Sequence, residues 1–556
     1  MYLFGHKFKP SFATAAYLLP SSTLTNFKCF VAPTIASGLD RTKCALNFVR
    51  HSYFYRIPKN STYKVAKVKR CGLAKHGCNS TAGTGMNWDE YAAWGKKISD
   101  WGAAYHQNLR DRPVRAQVAP GDTAKLLEPS APETGEDMGA ILEDFERVVM
   151  PGITHWQHPR FFAYFPSNAT PPTILADFLV STMAVQCMLW QTSPAATEME
   201  TRMMEWLRQA IGLPSTFAGV IQDSASSATL AAVLTMRERS LRWDGNENGL
   251  SQHPKLRIYC SGEAHSSIDR AAWVAGIGSD NIVHIPVTGA HRSMDSQSLR
   301  QAIKNDLEAG YLPIGVIACT GATGMGACDD ITSVIEVAQN FDLYVHVDAA
   351  WAGSAMICPE FRYLWEGVEK ADSVVFNPHK WLGVQFDCSA HFLKNPEDLV
   401  RTLAIQPEYL KTHGQEGLIN YSEWSIPLGR RFRALKIWFL LRSYGLDELR
   451  NRIRNHIKWA NEIADQLRAT PGFEIVTEPI LSLFTFRYLP KGSSDLDEIN
   501  QALVDRINND GRIYLTQTNI DGAKVIRFQV GQFDTTQEDV QTAYQVICDT
   551  AQKFDP

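Results

Sequence analysis

Lys380 closes the tetrapeptide Asn377-Pro378-His379-Lys380, directly after a short apolar run, Ser373-Val374-Val375-Phe376, that reads as a buried strand. A lysine at such a strand end sits where open α/β sheets bind their ligands. Upstream, His346-Val347-Asp348-Ala349-Ala350-Trp351 ends another apolar run with an acid. A lysine that can form a Schiff base and an aspartate that can pair with a protonated pyridine nitrogen are what pyridoxal phosphate (PLP) requires. Taken alone, the lysine would be a solvated surface charge and the aspartate a helix cap. The small residues Ala349 and Ala350 favour the cofactor reading, because they let a ring approach closely.

Other segments supply the remaining parts of a PLP site. Asp223-Ser224-Ala225-Ser226-Ser227 precedes an apolar helical stretch, and hydroxyls and free amides at a helix N-terminus bind phosphate. Asp223 sits awkwardly beside a phosphate and is expected to point away. His265 follows a strand candidate and could stack on the cofactor ring. Thr323 lies in the Gly-rich stretch from Thr320 to Gly326, which is not a P-loop because no Gly-Lys-Ser/Thr follows. Tyr409 lies in the polar segment Gln406–Gly414, expected to be a mobile loop whose tyrosine delivers a proton once carbon dioxide has left.

These groups must be positioned by ordered elements. Between about residues 170 and 400, short apolar runs alternate with helical stretches, which predicts a parallel sheet with crossover helices. The strand candidates are Arg257–Cys260, Ile282–Ile285, Ile314–Cys319, Leu343–Val347, Ser373–Phe376 and His391–Leu393. Ahead of them, Trp88, Tyr91, Trp94, Ile98 and Trp101 recur at helical spacing, and a helix is predicted near Met138–Val149. The aromatic, proline-punctuated run Thr154–Pro166 reads as a loop. Helices are predicted at Phe432–Tyr444, Asp447–Ala469 and Leu496–Asn509, with strands at Ser482–Tyr488 and Val525–Val530, forming a smaller α+β unit.

The chain has 556 residues, is 45% hydrophobic and 21% charged, and carries a net charge of −4. That balance conceals a split. Residues 1–85 hold 13 basic residues and one acid, Asp40, about +12; the rest is about −16. An acidic body has no nucleic-acid footprint. No run approaches ~18 apolar residues, so no membrane span is expected. Eleven cysteines without a Cys-x-x-Cys pair point to buried thiols in a reducing compartment, hence a cytoplasmic location. The basic first 85 residues read as a disordered arm, a gene-model extension with Met86 as the working start, or a transit-like segment that would make the location organellar.

Several ordered motifs carry a family resemblance: the run from Thr154 to Pro166, Ser193-Pro194-Ala195-x-Thr197-Glu198, His346–Trp351, Phe376–Trp381 and Ile426–Arg433. From about Met86 onward the chain resembles the group II PLP-dependent decarboxylases, aromatic-L-amino-acid decarboxylase branch. The resemblance implies a fold-type I (aspartate aminotransferase-like) α/β homodimer with active sites at the interface. It implies an N-terminal helical segment swapped onto the partner (86–167), a large PLP domain with a mostly parallel sheet (168–440) and a small α+β C-terminal domain (441–556). It makes Lys380 the Schiff-base lysine, Asp348 the pyridinium partner and His265 the stacking histidine. Ala225, Ser226, Asn377 and His379 match positions around the phosphate, Thr323 a threonine near the aspartate, and Ala350 a cofactor contact. Trp156, Tyr164, Phe165, Pro166 and Ser167 match an aromatic substrate pocket, which otherwise would be core packing. Ser167 departs from the usual threonine, and Gln186-Cys187-Met188-Leu189 departs from the animal enzymes. Gly429 stands where, in the family, glycine accompanies room for larger rings. The implied activity is decarboxylation of DOPA, tyrosine, tryptophan or 5-hydroxytryptophan. An aromatic aldehyde synthase on the same scaffold, in which phenylalanine typically replaces the loop tyrosine, is the alternative; a catalytically dead homologue is a third reading.

Overall fold

Seven strands build the central sheet of the computed structural model, which describes residues 86–405, 417–492 and 495–554. In chain order these strands are β1 (Ala218–Gln222), β2 (Leu256–Ser261), β3 (Ile282–Ile285), β4 (Leu312–Cys319), β5 (Tyr344–Asp348), β6 (Ser373–Phe376) and β7 (Ser389–Leu393). Their spatial order is β1-β7-β6-β5-β4-β2-β3. β3, β2, β4, β5 and β6 run parallel, and β7 is antiparallel to both β6 and β1. The sheet is therefore mostly parallel, as expected, but not wholly so. The reason is local. A parallel return needs a crossover of a dozen or more residues, usually a helix. Here the link from β6 to β7, Asn377–Cys388, holds only a single wide turn at Pro378–Leu382, so the chain reverses beside β6. Lys380 lies on that turn.

Central strands are buried on both faces, which explains their continuous apolar runs. All residues of β5, β6 and β7 are buried. β1 escaped the sequence reading because it is short and opens Ala218-Gly219. Glycine is required there: a Cβ on Gly219 would collide with Met204 and lie 2.9 Å from the Phe392 ring.

Helices cover the sheet. α1 (Trp88–Gln107) starts with the expected early acids, as Asn87 and Glu90 form a capping box. α2 (Pro171–Met183), α3 (Pro194–Ile211) and α4 (Ala225–Ser240) follow, with α4 packed on β4 to β7. α5 (Ala434–Ala469) joins the two predicted helices across a break at Gly445, whose φ of 71° and ψ of 167° are non-helical. A second sheet, order β8-β9-β11-β10, is antiparallel throughout: β8 (Phe473–Ile480), β9 (Leu483–Tyr488), β10 (Thr516–Ile520) and β11 (Ala523–Gln529). α6 (Leu496–Asp510) and α7 (Gln537–Ala551) complete this smaller α+β layer. Its own apolar core joins Phe484, Phe486 and Phe528 to Leu467 and Ile547. The run Thr154–Pro166 is irregular except for a lone bridge from Phe161 to Tyr514.

Candidate active site

Asp348 ends β5 and Lys380 follows its parallel neighbour β6, and the ladder continues past the strand ends. The Ala349 amide donates to the Val375 carbonyl at 2.9 Å, and the Asn377 amide to the Ala350 carbonyl at 2.9 Å. The two chemistry-bearing residues are thereby held side by side at the carboxyl end of the sheet, the expected ligand side. They face one cavity of about 270 Å³.

Lys380 sits in the turn Pro378–Leu382, with proline at its first position. Gly383 ends the turn at φ 102°, where a Cβ would meet the Phe533 ring at 2.5 Å. The lysine ammonium lies 5.0 Å above the Phe165 ring, and among the described residues no hydrogen bond or ion pair reaches it. Burial pushes its pKa down to about 8; the Asp348 carboxylate opposes the shift and the Arg527 guanidinium reinforces it. Asp348 keeps one carboxylate oxygen on the Ala350 amide at 3.0 Å.

His265 follows β2. The Ser267 amide donates to its Nδ1 at 3.1 Å, so that nitrogen accepts and the neutral ring carries its proton on Nε2. Burial lowers its pKa, against an opposing pull from Asp348. Ser224 caps α4 by accepting from the Ser227 amide at 3.1 Å, which leaves the first turn of α4, with Ala225 and Ser226, along the cavity wall. Asp223 accepts from the Ser224 hydroxyl and is not among the lining residues. Gly321, Ala322 and Thr323 also line the cavity; a Cβ on Gly321 would approach Ala352 Cβ to 2.6 Å.

The cavity thus gathers Phe165, Ala225, Ser226, His265, Thr323, Asp348, Ala350, Asn377 and Lys380 from six separate segments. Asn377 accepts from the Ser389 hydroxyl at 2.7 Å. Other expected site residues lie elsewhere on this chain. His379 does not line the cavity: its Nδ1 accepts from the Cys388 amide at 2.9 Å and its ring packs edgewise on Phe386. Lys380 lines the cavity and His379, one residue earlier on the same turn, does not. Trp156 and Tyr164 stack on each other at 5.8 Å and are 39% and 46% exposed. Pro166 packs against Gly531, and the Ser167 carbonyl accepts from Gln157. Gly429 opens onto a separate cavity of about 420 Å³ beside Gln186. There Arg430, bonded to the buried Glu200 and to the Ile221 carbonyl, anchors the segment. Tyr409 lies outside the described residues.

Sequence reasoning missed two buried residues close to Lys380. Arg527 on β11 is 3% exposed and lies 5.6 Å over the same Phe165 ring. It donates to the Gly324 and Tyr164 carbonyls and to the Thr516 hydroxyl, and among the described residues no carboxylate pairs with it. Burial lowers its pKa to about 10. A charge inside the apolar run Val525–Val530 was the available signal. The second is Asn168, which bonds the Lys380 main chain and has no motif to mark it.

The residues fit PLP. A buried lysine and a carboxylate that, among the described residues, has one oxygen bonded only to the Ala350 amide share one cavity, whose wall is a helix N-terminus able to receive a phosphate. Fold and site together define a PLP enzyme with its lysine at the end of a mostly parallel sheet. Residues 120–489 match the pyridoxal-dependent decarboxylase conserved domain, and the chain belongs to that family. It is similar to the aromatic-L-amino-acid decarboxylase of Rattus norvegicus, 42% identical over 480 residues that cover 84% of this chain and 98% of the rat protein. It is also similar to the phenylacetaldehyde synthase of Arabidopsis thaliana, 38% identical over 477 residues, 84% of this chain and 96% of that one. Among solved structures, Oryza sativa TDC with PLP and tryptamine superposes with a TM-score of 0.82 at 33% identity, covering 85% of this chain and all of the other.

Proposed function

We propose that this chain decarboxylates aromatic L-amino acids to arylalkylamines. The observation that carries the reading is the presence of Lys380 and Asp348 in one cavity whose floor is aromatic. Phe165 stacks on Trp351 at 4.6 Å, and Trp351 on Trp381 at 5.0 Å. An apolar floor suits an aromatic side chain.

PLP, when bound, supplies the electron sink that takes up the pair left behind when carbon dioxide departs. Lys380 would hold it covalently, Asp348 would hold the proton on its ring nitrogen, and the first turn of α4 would hold its phosphate. His265 presents its Nε2 proton. Arg527 supplies positive charge that suits a carboxylate near Lys380. Tyr409 is the proposed donor of the proton that replaces the lost carboxylate.

The protein is proposed to act as a homodimer. α1 buries none of its residues, Trp88 is 81% exposed, and Leu175, Phe178 and Met183 leave an apolar face on α2. Contiguous exposed apolar surface of this kind marks an interface. A partner copy would also close the exposed Trp156 and Tyr164 and bring Gly429 to an active site. No helix of the described residues is long and apolar enough to cross a membrane, and the proposed location is the cytoplasm.

Aldehyde synthesis is the second reading, supported by the resemblance to the Arabidopsis thaliana phenylacetaldehyde synthase. The tyrosine at position 409 favours decarboxylation. Assaying purified protein against tyrosine, DOPA, phenylalanine, tryptophan and 5-hydroxytryptophan, with carbon dioxide and hydrogen peroxide read together, tests both. Amine and carbon dioxide without peroxide are expected; stoichiometric peroxide would establish the second reading, and no turnover of any of the five would refute both.

A further inference from the structure

Asn168 is fully buried, and both its side-chain amide and its main-chain N–H are hydrogen-bonded. Its side-chain Nδ2 donates to the Lys380 carbonyl at 2.7 Å and to the Gly531 carbonyl at 2.9 Å. Its Oδ1 accepts from the Phe533 amide at 2.8 Å, and its own amide donates to the His379 carbonyl at 3.1 Å. One side chain therefore joins the turn that bears Lys380 to the segment that directly follows β11. β11 carries Arg527.

The same short strap reaches the second cation. Arg527 donates to the Tyr164 carbonyl, four residues before Asn168, and Phe165 between them lies beneath both charges. Lys380 and Arg527 are thus held from one five-residue segment. A carbonyl in a turn that cannot continue as a helix needs an outside donor. Asn168 provides that donor for Lys380, and an amide is the side chain that can supply two donors and one acceptor at once.

We propose that Asn168 is a positioning residue for the reactive lysine: it locks the main chain of Lys380 to the end of the strand bearing Arg527, and so fixes the spacing of the two cations across Phe165. The consequence has a definite sign. Both the burial of Lys380 and the nearby guanidinium favour its neutral form. Loosening the tether lets in water and increases the separation, so the lysine should become more basic and less well placed.

The inference rests on the reading of Lys380 as the PLP-bearing lysine, and the test separates the two. The full-length protein carrying PLP is first reduced with borohydride and digested. A label on another lysine overturns the functional reading, and this inference with it. With the label on Lys380, Asn168→Ala and Asn168→Ser are compared with Thr170→Val. Thr170 donates to the Gly383 carbonyl at 3.1 Å, in the same turn but not to the lysine. Four quantities are read: the melting temperature, the pH midpoint of the visible band of lysine-bound PLP, and kcat and KM with DOPA. In Asn168→Ala the midpoint should rise by about 0.5 pH unit or more. Its kcat should fall about tenfold or more, with KM changed less than about threefold. Thr170→Val should lower the melting temperature and leave the midpoint in place. If Asn168→Ala does not fold, Asn168→Ser, which keeps one donor, carries the test and should give a smaller rise. An unmoved midpoint in the folded Asn168 variant, or an equal rise in Thr170→Val, overturns the role of Asn168 alone.

Discussion

The pKa of Lys380 can be turned into a measurable rate. An ordinary lysine near 10.5 is neutral in about 0.03% of molecules at pH 7, whereas one near 8 is neutral in about 9%. Only the neutral amine attacks a carbonyl, and at pH 7 the apoprotein should hold about 300-fold more of Lys380 in that form than an unshifted lysine would. The shift is dominated by burial, is opposed by Asp348 and is reinforced by Arg527. Two substitutions should then move it in opposite directions. Asp348→Asn removes the group that favours the ammonium, and the midpoint should fall below 8. Arg527→Met removes a like charge, and the midpoint should rise above 8 while staying below that of an ordinary lysine, because burial remains. The assay is competitive labelling of the full-length apoprotein with a trace amine reagent between pH 6 and 11, with the Lys380 peptide quantified against a surface lysine peptide. A midpoint at 10 or above in the parent would refute the burial argument. Shifts of the same sign in the two variants would refute the electrostatic part while leaving burial standing.

Three further outcomes are expected. Tyr409→Phe should slow amine formation and divert turnover towards oxygen, yielding aldehyde, ammonia and peroxide; amine production at the parent rate would exclude Tyr409 as the proton donor. Gly429→Ser should lower the ratio of indole to phenol turnover by about tenfold, since one small group in a pocket discriminates by about 1–3 kcal/mol, and an unchanged ratio of tryptophan to tyrosine turnover would show that Gly429 does not face substrate. Acid should destabilise the fold steeply, because burial pushes His158, His379, His391 and His456 down to about 3, so each stays neutral when folded but takes a proton near pH 6.5 when unfolded. Their full contribution is present above pH 6.5 and is lost as pH falls towards 3, at up to about 1.4 kcal/mol per histidine per pH unit; a melting temperature flat between pH 7.5 and 5 would contradict this.

The parts of this molecule that could be read from sequence share a physical cause, and so do the parts that could not. β6 and its turn were legible because a strand buried on both faces must be apolar and the residue that follows it is free to do chemistry. The break in α5 was legible because Gly445 punctuates an otherwise helical run. β8 and β10 were not: both are half-buried edge strands with mixed composition, and β8 loses register at Thr477, so neither shows a clean alternation. The reversal of β7 was hidden for a different reason, since periodicity reports that a strand is buried and carries no direction. The site divides along the same line. Lys380, Asp348 and His265 act through their own side-chain chemistry, and the residue type announces the role. Asn168 acts on a main-chain carbonyl 212 residues away, and any residue type can offer a carbonyl. Arg527 lies between these cases: a charge in a buried strand is visible, but its counterparts are carbonyls and a lysine it repels. The groups that set the reactivity of Lys380 are therefore less legible than Lys380 itself. Substitutions at Asn168 and Arg527 should accordingly alter the chemistry without touching any motif.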